Sequence, residues 1–417
     1  MTNAWRWSLF ALFLGVSTVA VPAARAADPI KIGFGMALTG GLAVNGKPAL
    51  LATQIWAEDV NAKGGLLGRK VELVFYDDQS NPSTVPGLYT KLLDIDKVDL
   101  VVSGYATNTV APAMPIAIQR NLLFFSLFCL ALNEEFHYPR YFSMLPLGPQ
   151  PKIAISKGFF DIAMEQTPKP KTVAIAAADA EFAQRVADGA RANAKAAGLN
   201  IVYDRAYPPT TVDYTPIVRA IQATNPDIVF VGSYPPDSVG MVRAVREVGL
   251  KTNQFGGAMV GLQATSIKTQ LGPLLNGIVY QEFWVPEPTL KFPGIEAFIA
   301  RYQARAASGD VDLLGYFIPP YAYARMQAIS QAIETTGGLD QGKLADWLHK
   351  NVAKTVAGDI TFNADGEWSK ERALFAQFQG IKNSDVDQFR RVGTHVVLTP
   401  AEFRSGKAIW PYAKAQQ

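Results

Sequence analysis

Cysteine occurs once in the 417 residues, at Cys129, and histidine three times, at His137, His349 and His395. A lone cysteine excludes an intramolecular disulfide, and a chain of this length buries enough surface to do without one. The histidines are far apart, sit among surface-like residues and have no metal-ligand spacing. No G-x-S-x-G elbow is present, and the glycines of GFGMALTG (33–40) are wrongly spaced for a dinucleotide loop. The acids of DGEW (365–368) lack the EF-hand ligand series. Cys129 has no base partner signalled nearby. No enzyme, metal or cofactor is expected, and an exported hydrolase is the minor alternative, since a catalytic group need not follow a known motif.

Excess charge is also missing. The 39 basic and 36 acidic residues come to a net charge near +1 once Arg6 and Arg25 are removed. That balance argues against nucleic acid or an anionic surface as partner. Beyond the N-terminal segment there is no apolar run long enough to span a bilayer, so no stable membrane anchor is expected.

The N-terminus carries what the rest lacks. Met1 to Arg6 is short and positive, and Trp7 to Val21 is apolar but short for a membrane span. Pro22 and the small-x-small motif Ala24-Arg25-Ala26 follow. Residues 1–26 read as a signal peptide cleaved after Ala26, giving an exported protein; an N-terminal anchor is the alternative. No cysteine follows the cut, so lipid anchoring is not expected.

From Ile30 onward, strand and helix patterns alternate. KIGFGMAL (31–38), VELVFYDD (71–78), VDLVVSG (98–104) and LLFFS (122–126) read as strands, separated by amphipathic helices at 48–61, about 85–95 and 109–120. The alternation restarts with TVAIAAAD (172–179), NIVYDRAY (200–207), DIVFVGSY (227–234), QFGGAMV (254–260) and GIVYQEFW (277–284). Helices follow at about 292–307 and 320–336, then short antiparallel strands at 359–363 and 372–380. Continuous apolar strands between amphipathic helices mean parallel sheets covered on both faces. The fold class is α/β, with two doubly wound parallel-sheet lobes. An interleaved division is preferred to two contiguous beads: 27–147 with 285–355 in an N-terminal lobe, 148–284 with 356–417 in a C-terminal lobe.

The segment 31–82, and above all AEDVNAKGGLLGRKVELVFYDDQ (57–79), resembles the opening of periplasmic solute-binding proteins of the branched-chain amino acid type. SGYATNTVAPAMPIA (103–117), residues 213–251 and GDITFNADGEW (358–368) extend the resemblance over nearly the whole mature chain. It implies two type I lobes joined by three crossovers, near 145–149, 279–285 and 354–359. It also implies a ligand held between lobes that close like a hinge, and delivery to the membrane permease of an ABC transporter. The same fold also serves ligand-sensing partners of signalling receptors, which stands as the alternative.

What the resemblance implies for the site differs by loop. Asn45 in TGGLAVNG stands where related receptors often have an aromatic, though the stretch reads equally as a plain turn. Tyr105, Ala106 and Thr107 follow the third strand, where hydroxyl and N–H groups suit a carboxylate; Thr107 or Asn108 is alternatively only a helix cap. FFSLFCLA (124–131) divides into strand core and then pocket wall at Phe128, Cys129 and Leu130, or leaves Phe128 in the core. In the second lobe Phe182 and Tyr234 match aromatic walls. Ala258 and Met259 stand where amino acid receptors often carry a carboxylate for the ligand's ammonium. Asp179 and Glu181 are substitutes for it, or caps. Trp284 covers the ligand or packs at the hinge. Walls rich in Phe, Tyr, Met and Trp favour a small carboxylate, an aromatic acid first and a branched-chain or other hydrophobic amino acid second.

Overall fold

The computed structural model describes Met1, Thr2 and residues 28–416, so the expected cleavage segment lies outside the described residues. Five strands form the first sheet: β1 (Ile30–Met36), β2 (Val71–Asp77), β3 (Leu100–Tyr105), β4 (Phe124–Leu127) and β5 (Tyr141–Ser143). Their order is β2-β1-β3-β4-β5, all parallel. The second sheet contains β6 (Thr172–Ala178), β7 (Asn200–Tyr207), β8 (Ile228–Ser233), β9 (Gln254–Met259) and β10 (Val279–Glu282). A hairpin, β11 (Ala353–Thr355) and β12 (Gly358–Ile360), stands apart, and β13 (Leu374–Phe378) and β14 (His395–Thr399) complete the second sheet. The order there is β14-β13-β10-β9-β8-β6-β7, with β13 and β14 antiparallel.

The parallel parts of the two sheets repeat one plan, because β7-β6-β8-β9-β10 follows the same winding as β2-β1-β3-β4-β5. β3, β4, β8 and β9 are buried along their whole length, as continuous apolar runs under two helical layers must be. The two lobes are doubly wound and joined by three chain crossings. Pro151–Met164 packs on the second sheet, so the first crossing occupies 144–150. Ile295–Ala306 returns to the first lobe, where Arg301 and Arg305 pair with Glu58 and Asp59 on helix Ala43–Ala62. Pro319–Thr336 lies beside that same helix, with Trp56 Nε1 donating to Ser330 Oγ at 3.2 Å.

The hairpin at 353–360 also packs on Pro319–Thr336, so the third crossing is not at 354–359. It runs through 361–373, beside the first crossing: Ser143 N donates to Gly366 O, Trp368 Nε1 to Ser143 O, and Arg372 N to Pro146 O. Helix Gln341–Lys350 and β14 are two elements the sequence pattern leaves unread.

Three local expectations change. Helix Ala43–Ala62 begins five residues before Pro48, which puts Asn45 in a first helical turn rather than a loop. The helix expected at 109–120 is broken into Thr107–Val110, a 3-10 turn at Ala111–Ala113 and Met114–Gln119. His395, expected at the surface, is fully buried on β14; its Nδ1 meets the Tyr280 hydroxyl at 2.6 Å, and burial holds its pKa well below the usual histidine value.

Candidate functional site

An open α/β sheet presents its crevice at the carboxyl ends of the strands where the winding reverses. In the first sheet that point lies between β1 and β3, in the second between β6 and β8. The loops leaving these strands face each other. They enclose a cavity lined from the first lobe by Leu42, Tyr105, Ala106, Thr107 and Phe128, and from the second by Ile155, Phe182, Tyr234, Val260 and Gln281. Leu145, Phe283 and Phe317 close it from the crossings and the loop before Pro319–Thr336. Its volume is about 30 Å³, room for a water or two. Ligand pockets run to several hundred Å³, so a ligand requires the lobes or the rings to move apart. A larger groove, about 520 Å³, lies on the second lobe around Asn225–Asp227 and Tyr412, at the amino ends of β8 and β9 and so away from the carboxyl ends that form the cleft.

The first-lobe wall is built by unusual backbone. Ala106 precedes helix Thr107–Val110 at φ +78°, ψ 145°, a region that alanine occupies only under strain. It is the residue before the helix, so neither Thr107 nor Asn108 is the cap. Phe128 leaves β4 at φ +53°, and this left-handed step turns its ring into the cleft. The next side chain goes the other way. Cys129 is buried with Tyr138 and Tyr141 under the opposite face of the sheet, and burial pushes its thiol pKa up. Leu130 is wholly buried, its N–H held by Thr107 Oγ1 at 3.0 Å. Neither Cys129 nor Leu130 lines the cavity.

Phe128 is the centre of an aromatic cluster. Its ring centroid is 5.0 Å from Phe283, 5.1 Å from Phe317 and 5.5 Å from Tyr321, all edge-on, while Phe283 and Phe317 stack at 5.6 Å. Phe182 and Tyr234 form a second edge-on pair across the cleft, at 5.8 Å. Such pairs are attractive beyond the area they bury and present both ring faces and edges to a planar guest.

Polar groups are few. Asn45 Nδ2 donates to the Tyr105 hydroxyl at 2.8 Å, so Asn45 stands behind the wall and orients Tyr105. Burial raises the pKa of Tyr105 and takes that of Tyr234 up to about 12, leaving both as neutral hydroxyls. Gln281 supplies an amide. Among the described residues no acidic side chain lines the cavity. Asp179 is exposed and Glu181 is turned to Arg185, so neither substitutes for a carboxylate at 258–259. Ala258 and Met259 close the end of β9 inside the core. Trp284 packs at the hinge, with Nε1 donating to Leu290 O at 2.9 Å and its ring 5.3 Å from Tyr316. Phe283 and Leu145 fall just past the carboxyl ends of β10 and β5 but are not among the residues the resemblance implies. Phe317 enters from the loop before Pro319–Thr336, which only the tertiary course of the chain brings to the site.

Direct bonds hold the lobes together. Asn108 Oδ1 accepts from the Tyr234 hydroxyl at 2.9 Å and from Phe182 N at 3.4 Å. Arg185 on helix Glu181–Ala196 reaches across to Ala131 O and Glu135, and Lys152 pairs with Glu134 at 2.6 Å. Arg185 is buried, but Glu135 is more than half exposed, which limits the pair to roughly 1 kcal/mol. Arg185→Ala is therefore expected to shift the population of the unliganded protein toward an open form. Small-angle scattering of the unliganded variant checks this: the radius of gyration increases, and an unchanged value would remove Arg185 as a latch.

The comparisons agree with this geometry. A family model described as "Periplasmic binding protein" matches residues 29–381. An amino acid binding protein of Pseudomonas aeruginosa is 26% identical over 359 residues, covering 85% of this chain and 92% of that one. A branched-chain amino acid transporter substrate-binding protein of Streptococcus pneumoniae, solved with isoleucine, superposes with a TM-score of 0.73 at 19% identity, over 89% of this chain and all of that one. A solute-binding protein of an R. palustris ABC transporter, solved with 4-hydroxybenzoate, gives 0.73 at 20% identity, over 85% and 94%. Two lobes wound alike, three crossings, a cleft at the strand ends and a family match over most of the chain lead to one conclusion: the chain belongs to the periplasmic binding protein family, as a solute-binding protein of the leucine/isoleucine/valine-binding type.

Proposed function

We propose that the protein captures a small aromatic carboxylate between its lobes and delivers it to the membrane permease of an ABC uptake system. The family is one of periplasmic, non-enzymatic transport receptors. On this reading residues 1–26 are removed after Ala26. The N-terminal lobe is 27–147 with 285–355, extended to 360 so that the whole hairpin belongs to it, and the remainder is the C-terminal lobe.

The observation that carries the reading is the cavity wall: Phe128, Phe182, Tyr234, Phe283 and Phe317, with the Tyr105 and Thr107 hydroxyls and no acid. An α-amino acid brings an ammonium group, and enclosing it without a counter-charge is costly. An aromatic acid brings only a ring and an anion. The rings suit the first, and the Tyr105 and Thr107 hydroxyls with the Gln281 amide suit the second. The neighbour solved with 4-hydroxybenzoate shares the fold and supports this choice; the one solved with isoleucine keeps hydrophobic amino acids second.

Binding works by closure. A ligand shifts the lobes together only if it binds the closed form better, so it must touch both walls. A thermal-shift series with benzoate, 4-hydroxybenzoate, phenylalanine, leucine and valine tests the reading. A ligand at a hundred times its Kd adds about 2.7 kcal/mol to stability. The aromatic acids are expected to raise Tm by several degrees and the amino acids less. A shift with α-amino acids alone would overturn the assignment.

A further inference from the structure

Arg325 lies on helix Pro319–Thr336 and is wholly buried. Its Nη1 donates to Ser103 O at 2.9 Å and to Phe125 O at 3.3 Å. These carbonyls flank the place where β3 and β4 lose register, between the pairs Val102–Phe125 and Tyr105–Leu127. Among the described residues Nε and Nη2 have no partner and Arg325 forms no ion pair. The buried carboxyl of Asp78, raised to about 6 by burial, accepts from Ser80 N instead.

A buried guanidinium with two unpartnered nitrogens and no counter-ion is expensive. Its position suggests what it serves. Tyr321, one turn earlier on the same helix, has its ring 5.5 Å from Phe128 and its hydroxyl on Phe283 O. Ser103 precedes the cavity-lining Tyr105 by two residues, and Phe125 precedes Phe128 by three. At about 3.3 Å per strand residue, the charge sits roughly 10 Å or less below the cavity.

We propose that Arg325 is the fixed counter-charge of the ligand site, selecting a carboxylate over its neutral analogue through the pocket floor without touching it. This rests on the carboxylate reading of the site. Two unit charges about 10 Å apart at an effective dielectric near 20 correspond to about tenfold in affinity. Arg325 also ties the β3–β4 gap together, so it is a positioning residue as well, and the test must separate the two roles.

Titration calorimetry with benzoate and with benzamide separates them. The wild type is expected to prefer benzoate. Arg325→Gln should lose about tenfold toward benzoate and stay within twofold toward benzamide, while Arg325→Lys keeps the preference. Equal losses for both compounds in Arg325→Gln would reduce Arg325 to a structural role and leave the carboxylate reading standing. A wild type that binds neither compound, or both alike, would overturn the carboxylate reading and the counter-charge with it. If Arg325→Gln does not fold, benzoate labelled with carbon-13 at the carboxyl is titrated on the wild type by NMR. A bound carboxyl that titrates below the free acid supports the counter-charge, and one that titrates at or above it contradicts it.

Discussion

Phe128→Ala is expected to weaken binding of an aromatic acid by about a hundredfold or more and to lower the unfolding free energy by roughly 3 kcal/mol. The ring is nearly buried and touches three others, so its loss leaves a hole where Phe283, Phe317 and Tyr321 now converge. That hole opens onto the cavity itself, so part of the loss falls on the fold and part on the ligand. The backbone at Phe128, φ +53°, is as unfavourable for alanine as for phenylalanine and offers no relief. Calorimetric titration and urea unfolding measure the two parts. Phe128→Leu serves as the control that keeps most of the volume: it should recover most of the stability but less of the affinity. Unchanged affinity in Phe128→Ala would place the ring in the core alone.

Gly46→Ala should be nearly as damaging without touching the cavity. A Cβ at Gly46 would lie 1.9 Å from Ala37 O and 2.7 Å from Ala37 C, both backbone atoms just beyond β1. The first turn of helix Ala43–Ala62 would have to move away, and with it the Asn45 amide that holds the Tyr105 hydroxyl. A loss of about 3 kcal/mol in urea unfolding is expected, at the upper end for overpacking because backbone cannot rotate aside. Any folded fraction should bind more weakly. A Gly46→Ala protein with wild-type stability would mean that the helix does not approach β1 as closely as the structure has it.

The parallel sheets are plain in the sequence because their strands are continuous apolar runs between amphipathic helices, as in VDLVVSG and DIVFVGSY. Helix Gln341–Lys350 is harder to read, since only Leu344, Ala345 and Leu348 are fully buried, Trp347 is half-buried and most of the rest is polar. β14 begins at a buried histidine, which composition places at the surface. Within the site, the strand-end rule leads to Tyr105, Ala106, Thr107, Phe128, Phe182 and Tyr234. It fails one residue past Phe128, because a single left-handed residue sends Cys129 to the opposite core, and no periodicity encodes that step. Phe317 and Arg325 escape for a different reason: they join the site from a loop and a helix more than 150 residues away in sequence from Phe128, whereas Phe283, one residue past β10, lies where the rule points.

The central claim is that an aromatic carboxylate sits between the two lobes, with rings from both around it. A crystal structure of the protein with benzoate or 4-hydroxybenzoate tests it most directly. The account predicts the aromatic ring among Phe128, Phe283, Phe317 and Tyr234, and the carboxylate within hydrogen-bond reach of Tyr105 or Thr107. Density for the compound in the outer groove near Tyr412, with the space between the lobes still filled by side chains, would contradict it.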